Sequence, residues 1–210
     1  MLGAGAWLGL APQPASGAAS GPQVRTDRGC YVVGQRVQVA GAGFAPLRLY
    51  DLAIDGVDFG QSETNSAGGF STSLSAGGLP TNVVQSVDQL DASDGTSDAT
   101  TTFTLTRPAG ALFLDDRGAP RARRAPFEVW GFALGGGRVN VYLHYVSPSG
   151  GVARTIALGR TGGQCGYLKT GTRALFPFGA QSGAWTLQFD TSRSYRSRPS
   201  GPAARISVRL

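Results

Sequence analysis

The sequence predicts an all-β chain folded as two consecutive antiparallel sandwiches, and three observations predict it. First, short apolar alternations recur along the chain and are cut at intervals of about 8 to 12 residues by Gly, Pro or Asp-Gly, the rhythm of strands with one buried face. Second, the composition is turn-rich, with 32 Gly and 12 Pro in 210 residues. Outside the extreme N-terminus, no window of about 11 residues or more carries apolar side chains at the i, i+3, i+4, i+7 spacing of a helix. Third, the strand-and-turn pattern restarts near the middle, and the chain exceeds a usual single domain of roughly 100 to 150 residues. The expected organisation is an N-terminal apolar segment (1–23), a first sandwich (24–106), a linker (107–110) and a second sandwich (111–210). With 41% hydrophobic residues, there is apolar material for two thin cores.

The first half opens near Val24. Val37 and Val39 alternate with Arg36 and Gln38, which predicts a half-buried strand ending at Gly41-Ala42-Gly43-Phe44. Pro46 then bars regular ladder pairing. Leu49 to Ile54 reads as a strand turning at Asp55-Gly56, a pair favoured in tight hairpins because both positions tolerate positive φ. Asn65 to Gly69 is a further turn, Phe70 to Leu74 a strand, and Val83 to Leu90 another. A turn at Asp94-Gly95 leads to a strand over Thr100 to Leu105.

Three pieces of this half carry a resemblance: Val33-Gly34-Gln35-Arg36-Val37, the corner Gly41-Ala42-Gly43-Phe44-Ala45-Pro46, and Ser66-Ala67-Gly68-Gly69-Phe70 after Asp55-Gly56. Together, over roughly residues 28 to 106, they resemble the immunoglobulin-like repeats of bacterial surface and secreted proteins. In those repeats a Gly-x-Gly-Phe-x-Pro corner closes an early strand and an x-Gly-x-Phe turn opens a later one. The resemblance implies an immunoglobulin-like antiparallel β-sandwich for this half, and with the restart of the strand-and-turn pattern the expected fold is two tandem immunoglobulin-like antiparallel β-sandwiches. It leaves function open, because such modules serve as spacers, adhesins, filament subunits and sugar binders alike. The sequence departs from the repeats at Cys30 and in occurring once instead of as a long array, which argues against a pure stalk.

Arg107-Pro108-Ala109-Gly110 reads as the linker, its proline removing a ladder donor where a strand should stop. Beyond it, strands are expected over Phe127 to Phe132, Val139 to Tyr145, Val152 to Leu158, Leu175 to Phe178, Trp185 to Asp190 and Ala204 to Leu210. Turns are expected at Gly135-Gly136-Gly137 and Pro148 to Gly151. Val139, Val141, Leu143 and Tyr145 share one face of their strand. This half matches no family that the residues bring to mind.

Charge divides along the chain. From Arg25 to Thr106 there are 4 Arg against 9 acidic residues, and from Arg107 to Leu210 there are 15 basic against 4 acidic residues, so a net charge of +6 conceals an acidic half and a strongly basic half. Lys169 is the sole lysine, which fits arginine-biased coding but not the concentration of arginine in one half. A basic domain attracts nucleic acid, anionic wall polymers, lipid headgroups or an acidic protein face through a field that salt screens. Arg117, Arg121, Arg123 and Arg124 form the densest cluster, and Arg193, Arg196 and Arg198 form a second around Tyr195. The usual fate of each cluster is a solvated loop; the sharper reading is contact with a polyanion or a partner. Aromatic interleaving is too thin for a nucleic-acid reader.

Residues 1–21 join a short apolar stretch to small residues that fit a signal-peptidase site around Ser16 to Ala19, without the positive n-region. The stretch is too short and too broken by Gly and Pro to span a bilayer. It reads either as the tail of a secretory signal or as a donor strand for a neighbour's open sheet edge. Cys30 and Cys165 fall one in each half, which leaves three readings open: a bond stapling the halves, a bond between molecules, or two separate thiols.

Candidate chemistry is sparse. His144, the only histidine, lies opposite the apolar face of its strand and is expected as a surface or cross-strand residue; if there were an active site, it would have to involve His144 and Asp190. Asp88, Asp91, Asp94 and Asp98 lack the ligand spacing of a calcium loop, and Asp94-Gly95 is accounted for by a turn. The glycine clusters lack the strand-to-helix setting of phosphate loops. Trp130 and Trp185 suit a sandwich core better than a sugar platform. No catalytic residue, cofactor or metal is expected. The reading that emerges is an exported, non-enzymatic structural or surface protein that self-associates head to tail. Its rival is a module whose basic half binds an anionic or carbohydrate wall polymer.

Overall fold

The computed structural model describes residues 21–113 and 119–210, and every described element is a strand. The N-terminal segment expected to be a signal remnant or donor strand, and Arg117, lie outside the described residues. In the first half the strands are β1 (Gln23–Thr26), β2 (Cys30–Val32), β3 (Arg36–Ala42), β4 (Leu49–Ile54), β5 (Val57–Glu63), β6 (Phe70–Ser75), β7 (Gln85–Ser93) and β8 (Asp98–Thr106). They form a three-stranded sheet, β1-β3-β6, and a five-stranded sheet, β2-β8-β7-β4-β5.

Alternation explains the layering. Val37 and Val39 of β3 point inward, as do Tyr50, Leu52 and Ile54 of β4 and Leu90 and Ala92 of β7, so one apolar cluster is built from both sheets. Tyr50 stacks on Phe70 with ring centroids 4.0 Å apart, joining the two sheets through one aromatic pair. The Asp55-Gly56 hairpin forms as expected, with φ of 49° and 76° at the two residues; this is the left-handed backbone that makes glycine favourable at the second position. One pairing departs from the antiparallel expectation. β2 runs parallel to β8, with Cys30 opposite Thr104 and Val32 opposite Thr106. A two-residue turn cannot make that connection, and it is not visible in local patterning.

The second half contains β9 (Gly110–Phe113), β10 (Arg124–Ala125), β11 (Phe127–Trp130), β12 (Asn140–Val146), β13 (Val152–Arg160), β14 (Leu168–Lys169), β15 (Arg173–Ala174), β16 (Ala184–Asp190) and β17 (Ala203–Arg209). A four-stranded sheet, β13-β12-β16-β17, faces a three-stranded one, β14-β11-β9, and β10 pairs with β15 alone. Val141, Leu143 and Tyr145 of β12 join Trp185, Leu187 and Phe189 of β16 and Phe127 and Val129 of β11 in a second cluster. The strand expected over Leu175 to Phe178 is not one. Leu175 and Phe176 are buried core residues, with Pro177 between the two phenylalanines. Phe176, Phe178 and Trp185 instead pack ring against ring, centroids 5.5 to 6.0 Å apart, with Tyr145 against both phenylalanines.

The halves are joined covalently and by packing. Cys30 and Cys165 form a disulfide within the chain, their Cα atoms 5.3 Å apart. Of the three readings open for the cysteines, this selects the staple. Arg107 donates to the carbonyls of Val83 and Pro80 in the first half. One residue on, the Pro108 carbonyl accepts from Trp130 Nε1 in the second half. Gly110 lies under the Trp130 ring, where a Cβ would stand 2.3 Å from Cζ2.

Candidate functional site

The most organised polar feature of the chain sits on the outer face of the four-stranded sheet. Because Val141, Leu143 and Tyr145 point into the core, Tyr142 and His144 point out. Register then aligns a row across four strands: Thr155 on β13, His144 on β12, Gln188 on β16 and Arg205 on β17. Asp190 lies beside this row, opposite Tyr142. The loop 191–202, which returns the chain from β16 to β17, covers the row, and so His144, Gln188 and Asp190 are almost fully buried on what would otherwise be the wet face. The histidine is therefore cross-strand, as expected, but not at the surface.

Each buried polar atom in the row has a partner. His144 Nδ1 lies 2.8 Å from Thr155 Oγ1. Its Nε2 lies 3.2 Å from Asp190 Oδ1 and 3.1 Å from the Ser192 carbonyl, two groups that only accept. Nε2 therefore carries a proton, and in the neutral ring Nδ1 accepts from the Thr155 hydroxyl. Asp190 also accepts from the Ser192 amide and from Gln188 Nε2, at 2.9 and 2.8 Å. Gln188 donates to the Arg196 carbonyl and accepts from Arg205 Nε, while Arg205 also donates to the Ser197 carbonyl. Tyr195 closes the lid, its ring edge-on to His144 at 5.6 Å.

Two cavities flank the loop. One, of about 210 Å³, lies between Asp190, Ser192, Arg196 and Pro202. The other, of about 450 Å³, is lined by Tyr142, Thr155, Ala157 and Arg193. A third, of about 500 Å³, follows the seam between the halves beside Val84, Val87, Glu128, Gln164 and Tyr167. There Tyr167 donates to Glu128 at 2.7 Å, and burial, then that carboxylate, push its phenol up to about 12.

The arginine clusters do not converge. Arg121 donates to Ser182 Oγ at 2.8 Å, Arg123 lies over the Phe113 ring, and Arg124 begins β10. Arg193, Arg196 and Arg198 sit on the loop at the opposite end of β16. The strand between them sets a separation of roughly 20 Å. The acidic residues of the first half do converge. Asp51, Asp58, Glu63, Asp91 and Asp98 share the outer face of β5-β4-β7-β8 by register, and these four strands contain neither Lys nor Arg. Asp94 instead caps its own turn, accepting from the amides of Ala45, Thr96 and Ser97. Among the described residues no three His, Cys, Asp or Glu side chains gather in a metal-binding group. Trp185 and Trp130 are buried, the first in the aromatic cluster and the second at the linker.

No family model matches the chain, and no curated protein matches it. Among solved structures, the ligand-binding domain of human OSCAR aligns over 91% of this chain and 99% of its own, at 9% identity and a TM-score of 0.35. A 1.5-MDa bacterial ice-binding adhesin aligns over 91% and 65%, at 10% identity and 0.33. A β-glycosidase from Bacteroides vulgatus aligns over 91% and 25%, at 10% identity and 0.30. Likeness at this level transfers no residue and no activity.

Proposed function

We propose that the chain is an exported, non-enzymatic structural or surface protein of two tandem immunoglobulin-like sandwiches that associates head to tail. The observation that carries this reading is an acidic sheet face in one half set against an excess of arginine in the other. One sheet face bears Asp51, Asp58, Glu63, Asp91 and Asp98 with no basic residue on its strands, whereas the other half carries 14 of the 18 arginines. Two different patches that attract one another form a heterologous contact, which does not close on itself and so propagates. The disulfide between the halves suits an oxidising compartment outside the cytoplasm. It also suits a unit that must keep its two contact surfaces in fixed relation.

Sedimentation velocity at low and high salt tests the assembly. Polymers at about 20 mM salt that dissolve at about 500 mM, and that fail to form in the double variant Asp51→Lys/Glu63→Lys, are the expected result. A monomer under both conditions at every protein concentration overturns it.

A second reading, a module that holds an anionic or carbohydrate polymer through its basic half, is favoured by Arg193. This exposed guanidinium has no hydrogen bond or ion pair among the described residues and borders a cavity. Retention of the full chain on an immobilised polyuronate column tests this reading by itself.

A further inference from the structure

The cavity beside loop 191–202 combines three groups that recognise one kind of ligand. Arg193 supplies a cation without a partner among the described residues, Tyr142 a half-buried aromatic face, and Thr155 a hydroxyl bonded from behind to His144. That bond is the informative part. His144 Nε2 faces only acceptors, so when the ring is neutral Nδ1 takes the Thr155 proton, and Thr155 Oγ1 then has lone pairs alone to offer a ligand. A bare sulfate has only acceptor oxygens to offer, so it meets attraction at Arg193 and repulsion at Thr155. A ligand that satisfies both must carry an acid group and, some ångströms away, a hydroxyl that donates. A volume of about 450 Å³ lies within the range of roughly 300 to 1,000 Å³ usual for small-ligand sites.

We propose that this cavity binds one residue of a carboxylated saccharide, with the carboxylate on Arg193, the apolar face of the sugar ring on Tyr142, and a ring hydroxyl donating to Thr155. The inference rests on the second reading above and deepens it. Guanidinium matches carboxylate geometry through paired N–H donors, and an aromatic ring provides a flat apolar surface for the C–H face of a sugar. His144 and Asp190 are positioning residues here, acting on the ligand through Thr155.

The test is calorimetric titration of the full chain with tri-galacturonate and, in parallel, with neutral maltotriose and inorganic sulfate. The expected result is measurable binding of tri-galacturonate alone. Arg193→Gln should weaken it at least tenfold and Tyr142→Ala severalfold, while Arg121→Gln/Arg124→Gln at the far end of β16 should leave it unchanged. Both Arg193 and Tyr142 lie outside the core cluster, so their variants keep the fold, which circular dichroism checks. As the readout specific to the positioning role, Thr155→Val should weaken the acidic sugar while lifting the discrimination against sulfate. Binding that survives Arg193→Gln but falls with the Arg121/Arg124 variant overturns the site while leaving polymer binding in place. No binding of tri-galacturonate at millimolar concentration by a chain that the polyuronate column retains overturns the inference alone. Loss of both overturns the reading beneath it as well.

Discussion

At the scale of single residues, this chain differs from a plain pair of apolar cores in how it treats buried polar atoms. The Tyr145 ring packs on Phe176 and Phe178, and its buried hydroxyl has no hydrogen-bond partner among the described residues. Burial raises its pKa well above the ordinary phenol range, against the nearby Arg173 and Arg154, which act the other way. An unpaired buried hydroxyl costs about 1 to 3 kcal/mol, so Tyr145→Phe should leave stability unchanged or raise it by about 1 kcal/mol; urea unfolding measures this, and a loss of stability refutes it. Asp94 shows the opposite economy. Three backbone amides and the Thr96 hydroxyl point at its carboxylate and hold its pKa below the ordinary 3.8. Because the folded pKa lies below the unfolded one, the stability it contributes is complete above about pH 4 and drains away as pH falls through the folded value. Asp27 acts in the same sense, held down chiefly by the Tyr31 hydroxyl, whereas burial of Asp88 raises its pKa and works against them. The stability gap between the native chain and Asp94→Asn should therefore be largest near neutrality and should narrow toward about pH 2, as read from urea midpoints against pH.

At the scale of elements, the hairpin between β4 and β5 is the clearest case of local chemistry dictating structure. Gly56 sits at φ of 76° with open space around its Cα, so a side chain there suffers backbone strain without a clash. Gly56→Val should cost about 1 to 2 kcal/mol, the penalty of left-handed backbone for a residue with a Cβ, measured by thermal or urea unfolding. This hairpin, the alternation of β3 and the inward face of β12 were legible because each depends on neighbours within a few positions. Other features were not legible, for physical reasons that differ from case to case. The parallel contact of β2 with β8 joins Cys30 to Thr104 across most of the first half, and no local pattern encodes it. The face of β12 that carries His144 followed from period-two alternation, but its burial depends on loop 191–202 folding back over the sheet. A run as polar as Thr-Ser-Arg-Ser-Tyr-Arg-Ser-Arg-Pro-Ser gives no sign of that. The signal that was present is the company of His144: the outward positions facing it hold Thr155 and Gln188, with Asp190 nearby, a set of paired hydrogen-bonding groups in place of long charged ones. Likewise the separation of the two arginine clusters follows from their lying on opposite ends of β16, which becomes visible only once the strand is placed.

At the scale of the whole molecule, the two apolar clusters are held in fixed relation by one covalent bond and a linker whose groups are bonded to both sides. Cys30 and Cys165 are 135 positions apart, and closing a loop of that size stabilises the folded chain by about 5 kcal/mol in the chain-entropy view. Cys30→Ser/Cys165→Ser should therefore unfold at markedly lower urea, and small-angle scattering should show a larger radius of gyration as the halves gain freedom; identical scattering profiles would show that linker packing suffices alone. The same bond also changes what happens under tension. If Gln23 and Leu210 are pulled apart, the load passes from Cys30 straight to Cys165 and skips everything between them. Only the short stretch ahead of Cys30 and the stretch after Cys165 can pay out, about 180 Å of extended backbone where an unstapled chain would release about 650 Å. The entire acidic sheet is thereby excluded from the force path, so a strand of such units would lengthen in short, capped steps and keep its acidic face intact while stretched.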